Sequence, residues 1–301
     1  MGSDMQVFDR RAVRAHRDRA APGMPGHDFL FREAADRLAD RLLDFKRAFP
    51  RALDLGCRGG ILAEVLRGRG GIEVLVQADL SLAMARGARG LCLVADEEAL
   101  PFAPESFDLV LSVLDLHWVN DLPGTLLQIR RCLKPDGLFL ASMLGGDTLS
   151  ELRDVLLAAE AEVEGGASPR ISPFAELRDA GALLQRAGFA LPVADSERIA
   201  VTYADALALM RDLRGMGESN AIYERRRSFS RRATLARAAA LYAERHAPVP
   251  GRIEASFEVL TLTGWRPHES QQQPLRPGSA RNRLATKLGS SEQSAGEKAG
   301  R

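Results

Sequence analysis

Residues 52–62 read ALDLGCRGGIL, a short apolar run that passes directly into a glycine-rich turn. The run has the composition of a strand that is buried on both faces. The turn holds Gly56, Gly59 and Gly60, and a helical pattern begins near Ile61. A strand, a tight turn and a helix in this order predict the first unit of a parallel α/β sheet.

Four more apolar runs follow, and helical stretches separate them. They cover residues 73–78, 91–94, 107–114 and 138–143. A turn at residues 134–137 leads into the last run. Parallel neighbours need crossover connections, and the helices that make them cover both faces of the sheet. The sequence therefore predicts a doubly wound, mostly parallel Rossmann-like α/β sheet with its core at about residues 50–145.

Helical patterns dominate the chain outside this core. An amphipathic helix is predicted at residues 29–45. A helical C-terminal elaboration is predicted over about 147–250, followed by a final strand, with its elements at 147–162, 176–186, 203–213, 232–245 and 253–264. The main domain then spans residues 29–270. A basic N-terminal arm with a short helix precedes it at residues 1–28, and a tail predicted to be disordered follows it at residues 271–301.

The composition excludes several classes of protein. Of the 301 residues, 46% are hydrophobic and 27% are charged, so the chain is not disordered as a whole. Its 41 Lys and Arg residues balance 40 Asp and Glu residues, which argues against a nucleic-acid-binding protein. Cys57, Cys92 and Cys132 are too few and too widely spaced for a disulfide framework or a thiolate metal site. No apolar run approaches the roughly 18 residues of a membrane span and no signal peptide is evident, so a cytoplasmic location is expected.

Acidic residues follow the second and third predicted strands, at the edge where parallel sheets bind ligands. Asp79 is placed to accept hydrogen bonds from the two hydroxyls of a ribose, and Asp96 from the exocyclic amine of adenine. The glycine turn lets backbone N–H groups approach the same ligand. Together these features predict an adenosine site, although each acid alone could equally cap the helix that follows it.

The motifs at this edge resemble those of the class I S-adenosylmethionine-dependent methyltransferases. The resemblance rests on LDLGC at 53–57, Asp79, AD at 95–96, SFDLV at 106–110 and LKPDG at 133–137. It implies that S-adenosylmethionine is the cofactor. The residues that it implies as cofactor-binding are Asp54, Gly56, Cys57, Gly59, Gly60, Asp79, Leu80, Asp96, Glu97 and Ser112.

A narrower resemblance extends over almost the whole chain. It rests on VFDR at 7–10, LHWVNDLP at 116–123, GGDTL at 145–149, ISPF at 171–174 and GMGESN at 215–220. These motifs are similar to those of the methyltransferase-fold family of respiratory complex I assembly factors. That family is described as hydroxylating an arginine on the iron–sulfur subunit beside the quinone site. The resemblance implies the same activity and partner here, in the cytoplasm, at the inner-membrane surface, or in the mitochondrial matrix if the protein is organellar.

Arg58 departs from the methyltransferase pattern, which usually has glycine at this position. If the turn needs a positive φ there, arginine costs about 1 kcal/mol. The guanidinium could pair with the carboxylate of the cofactor or repel its sulfonium.

Candidate catalytic residues follow the fourth and fifth strands. His117 could act as a base and Trp118 could wall the pocket, although a histidine beside a tryptophan is more often a packing residue. Asp147 could bind a substrate arginine through bidentate hydrogen bonds, or it could cap the following helix. The other residues expected to face the substrate are Asp115, Gly146 and Glu218.

Other functions stay open on the sequence alone. The chain also resembles the malonyl-carrier methyltransferases of biotin synthesis, and Arg58 favours a non-catalytic assembly chaperone. The arginine run at 225–227 is compatible with RNA binding, but the balanced charge favours a surface that faces a protein partner. No metal site is predicted, because the five histidines lack the spacing typical of an iron site with two histidines and one carboxylate.

Overall fold

The computed structural model describes residues 6–272 and 289–290, and the strands within them form one seven-stranded sheet. The strands are β1 Arg51–Leu55, β2 Val74–Asp79, β3 Leu91–Val94, β4 Phe107–Val113, β5 Leu133–Leu144, β6 Ala190–Tyr203 and β7 Ile253–Trp265. Their order is β3-β2-β1-β4-β5-β7-β6. Strands β1 to β5 are parallel, and β7 is antiparallel to both of its neighbours. This arrangement confirms the predicted doubly wound, mostly parallel Rossmann-like fold.

Nine α-helices in the described part of the chain connect and cover these strands. They are α1 Arg10–Ala20, α2 Phe29–Arg41, α3 Ile61–Leu66, α4 Leu82–Gly87, α5 Leu122–Cys132, α6 Ser150–Glu164, α7 Leu177–Arg186, α8 Ala206–Gly215 and α9 Arg232–Arg245. Because side chains alternate along a strand, the two sheet faces have separate cores. Leu109 and Leu111 of β4 belong to the core beneath α2, α6 and α9, whereas Val110 belongs to the core beneath α5 and α7.

The predicted strands and helices are confirmed, with bounds that differ by a few residues, and the structure adds β6 at the edge of the sheet. The side chains of β6 are exposed or half-buried along its whole length. Such an edge strand lacks the continuous apolar run that reveals a buried strand. The predicted turn at residues 134–137 lies inside the bounds of β5, where Asp136 has a φ of 60° and the pairing with β4 shifts register.

The chain divides into one unit of residues 1–267 and another of residues 268–301. The segment predicted as an N-terminal arm holds α1, and it belongs to the first unit. The tail predicted for residues 271–301 lies outside the described residues, apart from 271–272 and 289–290. In the part of the chain that the structure describes, no helix has the length and the apolar character needed to cross a bilayer.

Candidate active site

The glycine-rich turn after β1 is held against the end of β2. The backbone N–H groups of Gly56 and Cys57 donate to the carbonyl oxygen of Ala78, at 2.8 and 3.0 Å. Gly56 has a φ of 79°, and a Cβ at this position would lie 2.1 Å from Cγ of Asp115. Only glycine fits here, because the backbone is left-handed and Asp115 packs directly on the turn.

After Cys57, the backbone of the turn is left-handed again at three successive residues. Arg58, Gly59 and Gly60 have φ values of 47°, 80° and 91°. The positive φ considered for Arg58 is therefore present, and a side chain costs about 1 kcal/mol or more in this region. The contacts of the Arg58 side chain must offset that cost.

The Arg58 side chain points into the edge of the sheet and is only 2% exposed. Its Nη2 donates to the carbonyl oxygen of Leu114 at 3.2 Å and lies 2.8 Å from Oε1 of Glu218. Its Nη1 donates to the carbonyl oxygen of Met216 at 3.3 Å. The guanidinium carbon lies 4.8 Å from the centre of the Phe31 ring. The guanidinium is thus held by a carboxylate, two carbonyls and an aromatic face.

Three of the predicted acids converge on Arg17 of α1, whose side chain is fully buried. Nη1 of Arg17 lies 3.0 Å from Oε1 of Glu97 and 3.4 Å from Oδ1 of Asp79. Nη2 forms an ion pair with Asp115, the residue expected to face the substrate. Burial raises the pKa of Asp115 well above its ordinary value. Burial also disfavours the charged form of Glu97, but the charges of Arg17 and Arg10 hold its pKa at about 2.

Two further arginines of α1 bind the neighbouring loops. Arg10 donates to Oδ1 of Asp96 at 2.7 Å and forms an ion pair with Glu97. Nε of Arg14 donates to the carbonyl oxygen of Leu80 at 2.9 Å. The residues expected to bind a nucleoside therefore lie together at one edge of the sheet, and side chains of α1 are their partners.

Other residues expected to bind the cofactor are buried. Both carboxylate oxygens of Asp54 lack a hydrogen-bond partner, and burial together with the charge of Asp79 raises the pKa of Asp54 to about 8. The hydroxyl of Ser112 donates to the carbonyl oxygen of Leu55 at 2.8 Å. Burial also raises the pKa of the Cys57 thiol. Among the residues that the structure describes, no group of three or more His, Cys, Asp or Glu side chains is arranged to hold a metal ion.

In this conformation, the crevice does not fit S-adenosylmethionine. Its acids match a positively charged ligand with hydroxyl and amine donors. However, the fully buried Arg17 side chain pairs with Asp79, Glu97 and Asp115, and the buried Arg58 guanidinium lies beside Asp115 and Glu218. Asp115 also packs against the glycine turn. A nucleoside can enter only after Arg17 has moved.

Glu218 is the centre of a second group, the Glu218 cluster, formed with His117 and Trp118. Gly217 has a φ of 81°, which turns the chain after α8 and brings Glu218 towards the sheet edge. Oε2 of Glu218 accepts from Nε1 of Trp118 at 2.8 Å and lies 3.1 Å from Nε2 of His117. Burial opposes its charged form, but Arg58 and His117 hold the pKa of Glu218 at about 2. Burial lowers the pKa of His117, so a neutral imidazole faces a charged carboxylate.

An apolar cavity of about 490 Å³ lies beside the Glu218 cluster. Glu218 and Trp118 line it, together with Arg170 and Arg214 and apolar side chains from α2, α6 and α8. The volume is within the usual range for small-molecule and cofactor sites. Arg225 and Arg226 line it as well, so a side chain that enters this cavity meets one buried carboxylate, four arginine side chains and a largely apolar wall.

The structure does not bring Asp147 or Gly146 into that cluster. Asp147 is exposed, and its backbone N–H donates to Oε2 of Glu258 at 2.9 Å. Gly146 packs on Glu176, since a Cβ at Gly146 would lie 2.3 Å from Oε1 of that residue. The alternative that Asp147 caps the following helix is wrong. The N-cap residue of α6 is Leu149, and no side chain accepts a capping hydrogen bond there.

The sequence analysis missed the roles of Arg10, Arg14 and Arg17. The signal was present in their spacing of i, i+4 and i+7, which places all three on one face of a helix. It was overlooked because a basic segment near a chain terminus is usually solvated.

The sheet order, with antiparallel β7 between β5 and β6, and the acids beyond β1 to β3 define a protein of the class I methyltransferase fold. A profile described as "Methyltransferase domain" matches residues 53–141. The YcgJ protein from Bacillus subtilis superposes with a TM-score of 0.53 and 14% identity, over 77% of this chain and 98% of that one. Phosphoethanolamine N-methyltransferase 2 of Haemonchus contortus, solved with S-adenosylhomocysteine, has a TM-score of 0.53 and 18% identity, over 85% and 60% of the chains. At these identities, the likeness concerns the fold.

The chain belongs to the family of the NDUFAF5 arginine hydroxylases. It is 44% identical to "Arginine-hydroxylase NDUFAF5, mitochondrial" of Danio rerio, over 92% of this chain and 88% of the relative. The human protein of the same name is also 44% identical, over 92% and 81%. The malonyl-[acyl-carrier protein] O-methyltransferase of Laribacter hongkongensis is 37% identical, over 90% and 94%.

Proposed function

We propose that this protein hydroxylates an arginine side chain of a protein substrate, a reaction in which one atom of dioxygen is inserted into a C–H bond and a two-electron reductant converts the other atom to water. The observation that carries the proposal is the 44% identity, over 92% of the chain, to relatives named arginine hydroxylases. The alignment extends over 283 residues, far beyond the 53–141 segment common to methyltransferase domains.

The chemistry of the Glu218 cluster supports this proposal. Arg58 already binds there through a carboxylate, carbonyl oxygens and an aromatic face, the groups that suit a guanidinium. Glu218 also lines the apolar cavity. A substrate arginine that enters the cavity meets this carboxylate while its aliphatic stem packs on apolar walls. We assign Glu218 to binding the substrate guanidinium and Trp118 to holding that carboxylate in place.

His117, considered as a base on the sequence, is assigned here to holding Glu218 in place. Its imidazole is neutral because burial lowers its pKa, so Nε2 donates to the Glu218 carboxylate and Nδ1 accepts the backbone N–H of Leu144 at 3.5 Å, which leaves neither ring nitrogen free to take a proton. Its ring is 5.4 Å from that of Trp118 and 5.7 Å from that of Phe174, between centroids, and the two aromatic neighbours restrict its orientation.

The substrate protein that we propose is the iron–sulfur subunit of respiratory complex I beside the quinone site, as the resemblance implies. The balanced charge of the chain supports a protein partner over a nucleic acid. The proposed location is the cytoplasm, including the inner-membrane surface, or the mitochondrial matrix for an organellar protein.

S-adenosylmethionine is the nucleoside ligand that we propose, because the fold is that of the methyltransferases. Asp79 would bind its ribose and Asp96 its adenine, with Asp54 and Glu97 close by. Asp79 is fully buried and becomes available only when Arg17 releases it, whereas Asp96 is 38% exposed and Arg10 occupies only its Oδ1.

Mass spectrometry of the iron–sulfur subunit tests the proposed activity. In cells with the gene, one arginine should carry one additional oxygen atom, and in cells without it this mass should be absent. Glu218→Gln should lower the modified fraction about tenfold or more, because a charged hydrogen-bond acceptor is lost. Glu73→Gln, at an exposed position, is the matched control and should have no effect. An arginine of unchanged mass in parent cells would rule out hydroxylation, and impaired assembly of complex I together with that result would favour a non-catalytic chaperone.

A second candidate is methyl transfer to a malonyl-carrier protein. The 37% identity to malonyl-[acyl-carrier protein] O-methyltransferases, over 90% of the chain, is the observation in its favour. A requirement for added biotin in cells that lack the gene would support this function. Growth without biotin would reject it.

A further inference from the structure

One face of α1 carries three arginines that all bind loops at the ligand edge of the sheet. Arg10, Arg14 and Arg17 are spaced i, i+4 and i+7 and therefore lie on the same side of the helix. Their partners belong to the loops that follow β2, β3 and β4. This face of α1 covers the crevice that a nucleoside would need.

The guanidinium groups occupy the acceptors expected for a nucleoside. Nη1 of Arg17 lies 3.4 Å from Oδ1 of Asp79, the carboxylate expected to bind ribose hydroxyls. Nη2 of Arg10 donates at 2.7 Å to Oδ1 of Asp96, the carboxylate expected to bind the adenine amine. The charge of Arg17 also neutralises acids that would attract the sulfonium and ammonium groups of S-adenosylmethionine. The helix and the nucleoside therefore compete for the same groups.

The packing of α1 allows it to leave as a unit. Most of its apolar side belongs to a small cluster of Phe8, Ala12, Val13, Leu80, Trp118 and Ala221, whereas Ala20 in its last turn and Met24 beyond it pack in the larger core and anchor the end about which the helix would turn. A short 3-10 segment, Ala21–Gly26, follows the helix. In it, Gly23 and Gly26 face open space, since a Cβ at either position would have no atom within 4 Å. Release of α1 breaks the small cluster and leaves the cores of the sheet largely in place.

We propose that α1 is an internal gate of the nucleoside site. With α1 docked, Arg17 closes the crevice, and S-adenosylmethionine binds when the helix swings out on the Ala21–Gly26 segment. This inference rests on the cofactor assigned under the proposed function. The gate also touches the substrate cavity, because Phe8 packs edge-on against Trp118 with ring centres 5.3 Å apart. Opening the gate therefore breaks this ring contact with the cavity wall.

Calorimetry with S-adenosylmethionine tests the competition. Arg17→Gln removes the charge that closes the crevice and should bind at least tenfold more tightly than the parent chain, a difference of about 1.4 kcal/mol. Arg11→Gln changes an exposed arginine of the same helix and should bind like the parent. Weaker binding by Arg17→Gln would overturn the gate, because Arg17 would then help to hold the ligand. The absence of heat with the parent and all variants would overturn it as well.

Hydrogen exchange of the α1 amides reports on the gate directly. Exchange over residues 10–20 should accelerate when S-adenosylmethionine is added, and unchanged or slower exchange would contradict release of the helix. Asp9→Ala acts outside the crevice by removing the N-cap to Ala12 and the ion pair with Arg225. Asp9→Ala should bind S-adenosylmethionine more tightly than the parent, as Arg17→Gln does. If Arg17→Gln does not fold, Asp9→Ala alone tests the gate. Arginine hydroxylation is measured separately, so an unmodified arginine with accelerated exchange rejects the proposed activity and leaves the gate intact.

Discussion

Arg58 combines a left-handed backbone with a buried guanidinium, and these two features affect stability in opposite directions. We expect Arg58→Gly to relieve about 1 kcal/mol of backbone strain. It also removes the cation that faces the buried carboxylate of Glu218, a loss of about 3 to 5 kcal/mol. The free energy of unfolding, measured with urea, should therefore fall by about 2 to 4 kcal/mol.

Arg58→Lys is the matched variant for this prediction. Lysine keeps the charge near Glu218 but cannot reproduce the planar contacts with two carbonyl oxygens and the Phe31 ring. The free energy of unfolding of Arg58→Lys should lie between those of the parent and of Arg58→Gly. An increase in stability for Arg58→Gly would show that strain exceeds the value of the ion pair.

Asp54 should make the stability of the protein depend on pH. Its pKa rises from an ordinary 3.8 to about 8 in the folded chain, so between these values the native state holds a proton that the unfolded state has lost. The stabilisation that comes from protonated Asp54 is complete below pH 3.8, and it is lost as the pH rises through about 8. We expect the free energy of unfolding to fall by roughly 1 kcal/mol per pH unit across this window relative to Asp54→Asn.

Urea denaturation of the parent and of Asp54→Asn across this pH range is the measurement. The neutral amide of the variant binds no proton, so the two curves should diverge as the pH rises. Asp44→Asn, at an exposed position, should give a curve parallel to the parent curve. Parallel curves for all three proteins would mean that Asp54 stays ionised when folded.

The sequence anticipated the left-handed turn but not the destination of the Arg58 side chain. A glycine pattern follows from local backbone geometry, which neighbouring residues determine. The partners of the guanidinium, Phe31 and Met216, lie far away along the chain, and only the complete fold brings them together. The positions of Asp79 and Asp96 were similarly predictable from the strand ends, whereas their arginine partners on α1 were not.

The central strands β1, β4 and β5 were predictable because helices bury most of their residues on both faces, which leaves a continuous apolar run in each. Within the described residues, edge strand β6 pairs with β7 alone and has exposed or half-buried side chains throughout. Its sequence therefore resembles that of a loop, and no local rule distinguishes the two. The same exposure makes β6 a site of unwanted association between copies of the chain.

We expect Val193→Lys to reduce aggregation without a loss of stability. Val193 is 52% exposed on β6, and a lysine at a sheet edge opposes pairing with another strand. Light scattering on heating should decrease, while the free energy of unfolding changes by less than about 0.5 kcal/mol.

Val201 on the same strand provides the contrast. It is half-buried and packs against the larger core, so Val201→Lys should destabilise the fold by about 1 to 3 kcal/mol. Equal effects of the two substitutions would show that β6 is not an ordinary edge strand.

Across the whole molecule, the nucleoside crevice and the apolar cavity are two compartments that share the Glu218 cluster. Filling the cavity should therefore block the protein substrate while leaving the nucleoside site unchanged. Met210 lines the cavity and is half-buried, so Met210→Trp should lower arginine modification at least tenfold with unchanged binding of S-adenosylmethionine.

Leu207→Trp is the control for this experiment. Leu207 lies on the same helix, α8, but is 47% exposed. A tryptophan there should leave modification and binding as they are. Equal inhibition by both substitutions, or loss of nucleoside binding by Met210→Trp, would show that the two compartments are not separate.

Among the described strands, β7 comes last along the chain but sits between β5 and β6 in the sheet. During translation, the ribosome therefore releases β6 long before its pairing partner exists, and the border of β5 also remains open. A nascent chain that stalls before residue 253 leaves one border of β5 and both borders of β6 unpaired, whereas the complete sheet leaves one border of β6 unpaired on this side. The two sheet borders can therefore be joined only after residues 253–265 have been synthesised.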